Sequence, residues 1–143
     1  MPSDNLENLA CIGKLRREAP DRREFLGLLY SGRVRLADAK RSDLSAESRF
    51  DLAYNAAHAL ALAAMRWHGY RSDNRYLVFQ VLEFTAGLSA SAWRVLALCH
   101  ERRNLAEYEG HQEVDERLLQ DLISTTDDLL ARIEALAPPG DER

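Results

Sequence analysis

Between His100 and His111 the chain reads His-Glu-Arg-Arg-Asn-Leu-Ala-Glu-Tyr-Glu-Gly-His, with two histidines, two arginines, an asparagine, three carboxylates and a tyrosine in one short segment. The segment continues an apolar helical pattern (Trp93, Leu96, Ala97), so it reads as the exit of a core helix. Side chains three and four apart share a helix face, which lines up His100, Arg103, Asn104 and Glu107 and places Tyr108 one turn beyond Asn104. An arginine fork offers paired donors matched to two phosphoryl oxygens, and histidine moves protons near neutral pH. The chemistry this stripe points to is therefore oxyanion binding with acid–base capacity, and on that reading Arg103 should donate to an anion, or to Tyr108 and Asn104 of either chain of a dimer, and not merely pair with Glu107. The plainer reading is a solvated helix end. There Arg103 pairs with Glu107, Arg102 faces water, and Tyr108 is a core tyrosine with its hydroxyl at the surface.

Tyr54, Asn55 and His58 lie on an earlier helix, Tyr54 and His58 one turn apart, and are further candidates for the same pocket or for satisfied polar groups in a core or interface. Zinc-type spacing is absent around His58, His68, His100 and His111, so no metal site is expected. There is no Gly-rich phosphate loop, no Gly-x-Ser-x-Gly and no nucleophilic cysteine context, so no cofactor is expected.

These groups are positioned by a chain that reads as helix throughout. Gly and Pro are few, and no segment alternates apolar and polar residues with β-branched enrichment. Asp4 is the candidate cap of a first helix with Leu6, Leu9, Ala10 and Ile12 inward, ending near Gly13. Pro20-Asp21 opens a second with Phe25, Leu28, Leu29, Gly32 and Leu36 as its stripe. Ser45 opens a long, alanine-rich third helix ending at His68-Gly69, and its small side chains allow a neighbour to approach closely. Ser72-Asp73-Asn74 caps a fourth that stops near Gly87, Ser89 or Ser91 a fifth that Gly110 ends, and Asp115 a sixth running to Pro138-Pro139-Gly140. The fold class expected is all-α, an antiparallel bundle of five to six helices. It forms a single domain over residues 1–143, with a core at about 21–137 and a frayed tail at 138–143. The third and fifth helices should be central, with Trp67, Phe79, Trp93 and Leu122 largely buried.

Composition narrows the setting. With 143 residues the chain is long enough for a core without staples, and Cys11 and Cys99 read as reduced thiols. Met1-Pro-Ser-Asp does not begin a secretory signal, and the longest strictly apolar run, Ala59 to Met65, is too short for a bilayer. A cytoplasmic protein with no membrane partner is expected. With 19 basic against 23 acidic residues, a formal −4, duplex DNA is disfavoured as a partner, although a local arginine cluster can hold one phosphate.

Two segments resemble the HEPN superfamily (higher eukaryotes and prokaryotes nucleotide-binding). One is Arg49-Phe-Asp-Leu-Ala-Tyr-Asn-Ala-Ala-His-Ala-Leu-Ala-Leu-Ala-Ala-Met-Arg-Trp-His-Gly-Tyr, similar to the family's long second core helix. The other is Arg103-Asn-Leu-Ala-Glu-Tyr-Glu-Gly, similar to the Arg-Asn-x-x-x-His element and closer to the branch that reads Arg-x-x-Ala-Asp/Glu-Tyr. The likeness spans roughly Ser45 to Ile133. It implies a homodimer whose motifs meet across the interface, RNA or nucleotide as ligand, and a nucleotidyltransferase or antitoxin as partner. In catalytic members the site is a metal-independent ribonuclease in which a ribose 2′-hydroxyl attacks the adjacent phosphorus, with a cation for the phosphoryl charge and an acid–base pair for the protons. Arg103 and Asn104 match the motif here. The usual spacing puts the histidine at 108–110, where this chain has Tyr-Glu-Gly; His111 lies just beyond and His100 one turn before Arg103. The resemblance thus implies a binding module of toxin–antitoxin or defence type without full catalytic machinery, or alternatively a ribonuclease using Arg103 with His100 or His111. In some family systems a tyrosine near the motif is adenylylated, a role that would fall to Tyr108.

Overall fold

The computed structural model of the protein describes residues 2–110 and 113–140. Its element order is α1 (Pro2–Cys11), β1 (Arg16–Arg17), α2 (Arg22–Ala39), α3 (Ala46–Trp67), β2 (Tyr70–Arg71), α4 (Arg75–Gln80), α5 (Leu82–Thr85), α6 (Ala90–Glu109) and α7 (Glu116–Glu134). It is an all-α bundle. No helix among the described residues is long and apolar enough to cross a membrane.

Side-chain caps start the long helices where the sequence places them. Asp21 accepts from the backbone N–H of Arg23 and Glu24, Ser45 from Ser48, Asn74 from Leu77, Ser89 from Ala92 and Asp115 from Arg117. Each satisfies an amide that the helix itself leaves without an acceptor. Gly69 and Gly110 follow α3 and α6 with φ of 88° and 86°, the left-handed conformation that stops a helix at little cost for glycine. At the N-terminus Asp4 sits inside the first turn of α1 instead of capping it, because the helix already begins at Pro2.

α3 is the centre. Its residues from Ala53 to Met65 are buried around nearly the whole circumference, including Ala56, Ala57, Leu60, Ala61 and Ala64. α2 runs antiparallel along it, as three cross-links in reverse order record: Arg49 Nε donates to the Ala39 carbonyl at 2.7 Å, Gly32 faces Leu60, and Arg66 pairs with Glu24. α7 is antiparallel to α2 through Arg33–Glu134 and Lys40–Asp127. Its inner stripe from Leu118 through Leu122 and Leu129 to Ile133 is buried.

Four expectations are corrected. The fourth helix breaks at Val81 into α4 and α5, where Phe84 N–H bonds the Val81 carbonyl at 2.8 Å in a tighter turn. Tyr76, Val78, Phe79, Val81, Phe84 and Thr85 are β-branched or aromatic, and such side chains lose rotamer freedom in a helix. The core begins well before residue 21, since Leu6 and Leu15 are buried, whereas Ile12 is 69 % exposed. Phe79 and Leu122 are buried as expected, but Trp67 and Trp93 are only partly so and lie at the margin of the core. A two-stranded antiparallel ribbon, unanticipated, pairs Arg16 with Arg71 and Arg17 with Tyr70. Residues 141–143 of the expected tail lie outside the described residues.

The ribbon belongs to a buried cation. Arg66 is 1 % exposed; its Nε donates to Glu24 at 2.7 Å and its terminal nitrogens donate to the Glu18, Ala19 and Tyr70 carbonyls. Arg71 pairs with both Glu18 and Glu24 on the rim. A charge this deep requires such a full set of acceptors.

The α2–α3 approach carries a direct test. A Cβ at Gly32 would lie 2.5 Å from both Cγ and Cδ2 of the buried Leu60, whereas one at Gly27, on the same helix, would meet nothing within 4 Å. Gly32→Ala is expected to lower stability by about 1–3 kcal/mol through overpacking. Gly27→Ala is expected to raise it by about 0.5–1 kcal/mol through helix propensity. Denaturant melts that show the same sign for both variants would contradict this packing.

Candidate functional site

Three helices converge on the ring of Tyr54. α3 presents Asp51, Tyr54 and His58; α6 presents His100, Arg103, Asn104 and Glu107; α4 presents Arg75 and Phe79. Tyr54 is 1 % exposed, and its hydroxyl lies 2.8 Å from Nδ1 of His100. The two rings stack with centroids 6.1 Å apart and planes 17° from parallel. Phe79 sets its edge against Tyr54, His100 and His58 at 5.9, 6.4 and 6.0 Å between centroids. On its outer side, Nε2 of His100 meets the amide nitrogen of Asn104 at 3.2 Å, and Asn104 is exposed. The imidazole is thus anchored at one nitrogen by a buried phenol and reached at the other through a single exposed amide. Rotating that amide exchanges its donor for its acceptor, so either neutral tautomer of His100 is fully bonded.

Two arginines flank the tyrosine. The guanidinium carbon of Arg103 lies 5.1 Å from the ring centroid and that of Arg75 lies 5.7 Å from it, both within cation–π range. Arg103 Nε and Arg75 Nη1 are buried without a hydrogen-bond acceptor. Burial lowers the pKa of His100, with the nearby charges of Arg75 and Arg103 acting in the same direction against Glu101. Burial pushes His58 down to about 4, with Arg75 and His100 adding to the effect. Both imidazoles are therefore neutral at pH 7. Asp51 is shifted upward by burial, which Arg103 only partly offsets.

The candidates read from sequence divide. Arg103, Asn104, His100, Glu107, Tyr54 and His58 are brought to this cluster. Tyr108 is not: it is 92 % exposed on the solvent face of α6, and so is not a core tyrosine either. Arg102 faces outward and lines a shallow cavity of about 470 Å³ with Glu113, Val114 and Asp115. His111 lies outside the described residues. Asn55 turns back to the Asp51 carbonyl of its own helix at 2.9 Å. Within the single chain, Arg103 pairs as the plainer reading has it. Its Nη1 donates to Glu107 at 3.0 Å and its Nε lies 3.8 Å from Asp51, and neither Asn104 nor Tyr108 of the same chain accepts from it. Sequence reasoning missed Arg75 and Asp51. Arg75 is the first residue of a short helix, and only the packing of α4 against α3 and α6 brings it to Tyr54.

No family model matches the chain, and no curated protein or solved structure matches it. Among the described residues no group of three His, Cys, Asp or Glu side chains is placed to hold a metal ion. Cys99 is buried and its thiol pKa is pushed up to about 12 by that burial, which leaves it an inert core residue.

His58 makes the cluster pH-sensitive. Its ordinary pKa is 6.5 and its folded value is about 4, so between these values the unfolded chain binds a proton that the folded one refuses. Stability should therefore fall as pH drops from 6.5 toward 4, by at most about 1.4 kcal/mol per pH unit from this group. Denaturant melts of wild type and His58→Gln across that window are expected to show a shallower decline in the variant; identical slopes would remove His58 from the account.

Proposed function

We propose that the protein is a HEPN-like dimeric binding module of toxin–antitoxin or defence type. It holds a nucleotide or RNA by a phosphate at the Tyr54–His100 cluster and works with a nucleotidyltransferase or antitoxin partner. The observation that carries this reading is the grouping of a neutral, anchored imidazole with the Arg75 guanidinium, which lies against the Tyr54 ring and keeps a buried N–H lacking an acceptor. A phosphoryl oxygen supplies the acceptor such a donor lacks. The antiparallel contact of α3 with α6 also joins the two segments that carry the family resemblance. For a second copy, Leu98, Leu105 and Tyr108 stand exposed on the solvent face of α6, a stripe that self-association would cover.

The ribonuclease reading has its own support. His100 is neutral at pH 7, as a general base must be, and its outer nitrogen is screened only by exposed Asn104. Attack by a 2′-hydroxyl also needs an acid to protonate the departing 5′-oxygen. Among the described residues the second imidazole at the cluster is His58, and with its pKa near 4 it carries no proton to donate as imidazolium at neutral pH. Binding without turnover is therefore the better-supported function.

The test uses fluorescence anisotropy with a labelled single-stranded oligoribonucleotide of mixed sequence and with labelled AMP. At least one probe is expected to bind, and His100→Ala is expected to weaken it about tenfold or more, the scale of a hydrogen bond to a charged group. Gel analysis of the incubated RNA should show no cleavage. If neither probe binds, the phosphate-binding reading fails; RNA cleavage that disappears in His100→Ala would replace it with the enzyme.

A further inference from the structure

The two arginines beside Tyr54 are not equivalent. Arg103, the residue within the Arg-x-x-Ala-Glu-Tyr segment, already has two carboxylates: Glu107 at 3.0 Å and Asp51 at 3.8 Å. One is on its own helix and the other on α3, so the guanidinium links α6 to α3 across the face of Tyr54. Its charge is largely balanced before any ligand arrives. Arg75 has no such balance. Among the described residues it makes no ion pair, its Nη1 is buried without an acceptor, and its only polar contact is with the Tyr54 ring. The residue as a whole is partly exposed, so the guanidinium is not sealed from solvent. Its field reaches both imidazoles, being the largest charge effect lowering the pKa of His58 and of His100. An uncompensated, partly desolvated cation beside an aromatic face and two neutral imidazoles is an arrangement completed by one anionic group.

We infer that Arg75, from α4 and outside the motif-like segment, is the residue that holds the ligand's phosphate, and that Arg103 braces α6 against α3. This rests on the reading of the cluster as a phosphate-binding site. The phosphate enters beside Arg75 and the ring of Tyr54, and displaces Asn104 from Nε2 of His100, which then faces the ligand. With Glu107 and Asp51 both set against Arg103, Arg75 is, among the described residues, the one guanidinium of the cluster left without a carboxylate. That matches a single phosphate group, whether on a free nucleotide or within an RNA strand.

The experiment compares wild type with Arg75→Gln, Arg75→Lys and Arg103→Gln, using the AMP and oligoribonucleotide probes and thermal melting of each variant. Arg75→Gln is expected to weaken whichever probe binds by about tenfold or more while leaving the melting temperature nearly unchanged. For RNA it should also reduce the slope of log affinity against log salt by about 0.7, the loss of one phosphate contact on a single strand. Arg103→Gln is expected to change affinity by less than about threefold and to lower the melting temperature. Arg75→Lys should restore the salt slope with intermediate affinity, because it returns the charge without the fork. If Arg75→Gln itself melts early, Arg75→Lys decides, and the wild-type salt slope is the result the inference requires. Wild-type binding by Arg75→Gln, or a larger loss in Arg103→Gln, would overturn the inference and leave phosphate binding standing. Failure of wild type to bind either probe overturns both.

Discussion

The burial of α3 on nearly every face is the constraint from which the rest follows. A helix that is apolar all round can exist in water only when neighbours cover it, and here α2 and α7 flank it with α4, α5 and α6 completing the enclosure. Small residues set the distances: alanines along α3 and Gly32 on α2 let backbones approach until Leu60 fills the remaining space. Any polar group carried on such a helix must find a partner on another element, because water cannot reach it. α3 carries two of these, Tyr54 and Arg66, with His58 partly buried beside Tyr54.

Those three are answered differently. Arg66 is fully answered by a carboxylate and three carbonyls, one of them from Tyr70 in β2 and two from Glu18 and Ala19, which directly follow β1. That end of α3 is closed and structural. Tyr54 is answered by His100, which in turn depends on an exposed amide, and the cations beside it retain donors with no acceptor. His58 is answered only by desolvation, which holds it neutral. Among the described residues, Thr85 Oγ1 and Trp93 Nε1 are also buried without a partner, each by itself, whereas Arg75 Nη1 and Arg103 Nε gather at the Tyr54 end. Buried donors without acceptors destabilise a fold, so their grouping around one aromatic ring gives that ring its functional reading.

Much of the fold follows from local signals. Asp21, Ser45, Asn74, Ser89 and Asp115 each cap the helix their position announces, and Gly69 and Gly110 end theirs, because capping is decided within a few residues. The break at Val81 and the ribbon at Arg16 and Tyr70 were not announced: one depends on accumulated weak propensity, the other on strands of two residues with no room for alternation. At the site, helical spacing correctly grouped His100, Arg103, Asn104 and Glu107. It could not reveal that α6 crosses α3 at Tyr54, nor that α4 delivers Arg75, since both are tertiary contacts between residues far apart in sequence. Tyr108 shows the opposite failure. It shares the segment with Arg103, yet the helix carries it to the solvent face, 92 % exposed.

The central claim is that a phosphate-bearing ligand occupies the cluster at Tyr54. The most direct measurement is an NMR titration of the isotope-labelled protein with AMP, following the imidazole resonances of His58, His68 and His100 and the Nε–Hε resonance of Arg75. The account predicts saturable shifts at His100, His58 and Arg75, with His68, on the far end of α3 against the Thr85 carbonyl, left unmoved. Shifts confined instead to the groove that Leu9, Ile12 and Phe84 line between α1 and α5, or no shifts at saturating AMP, would contradict it.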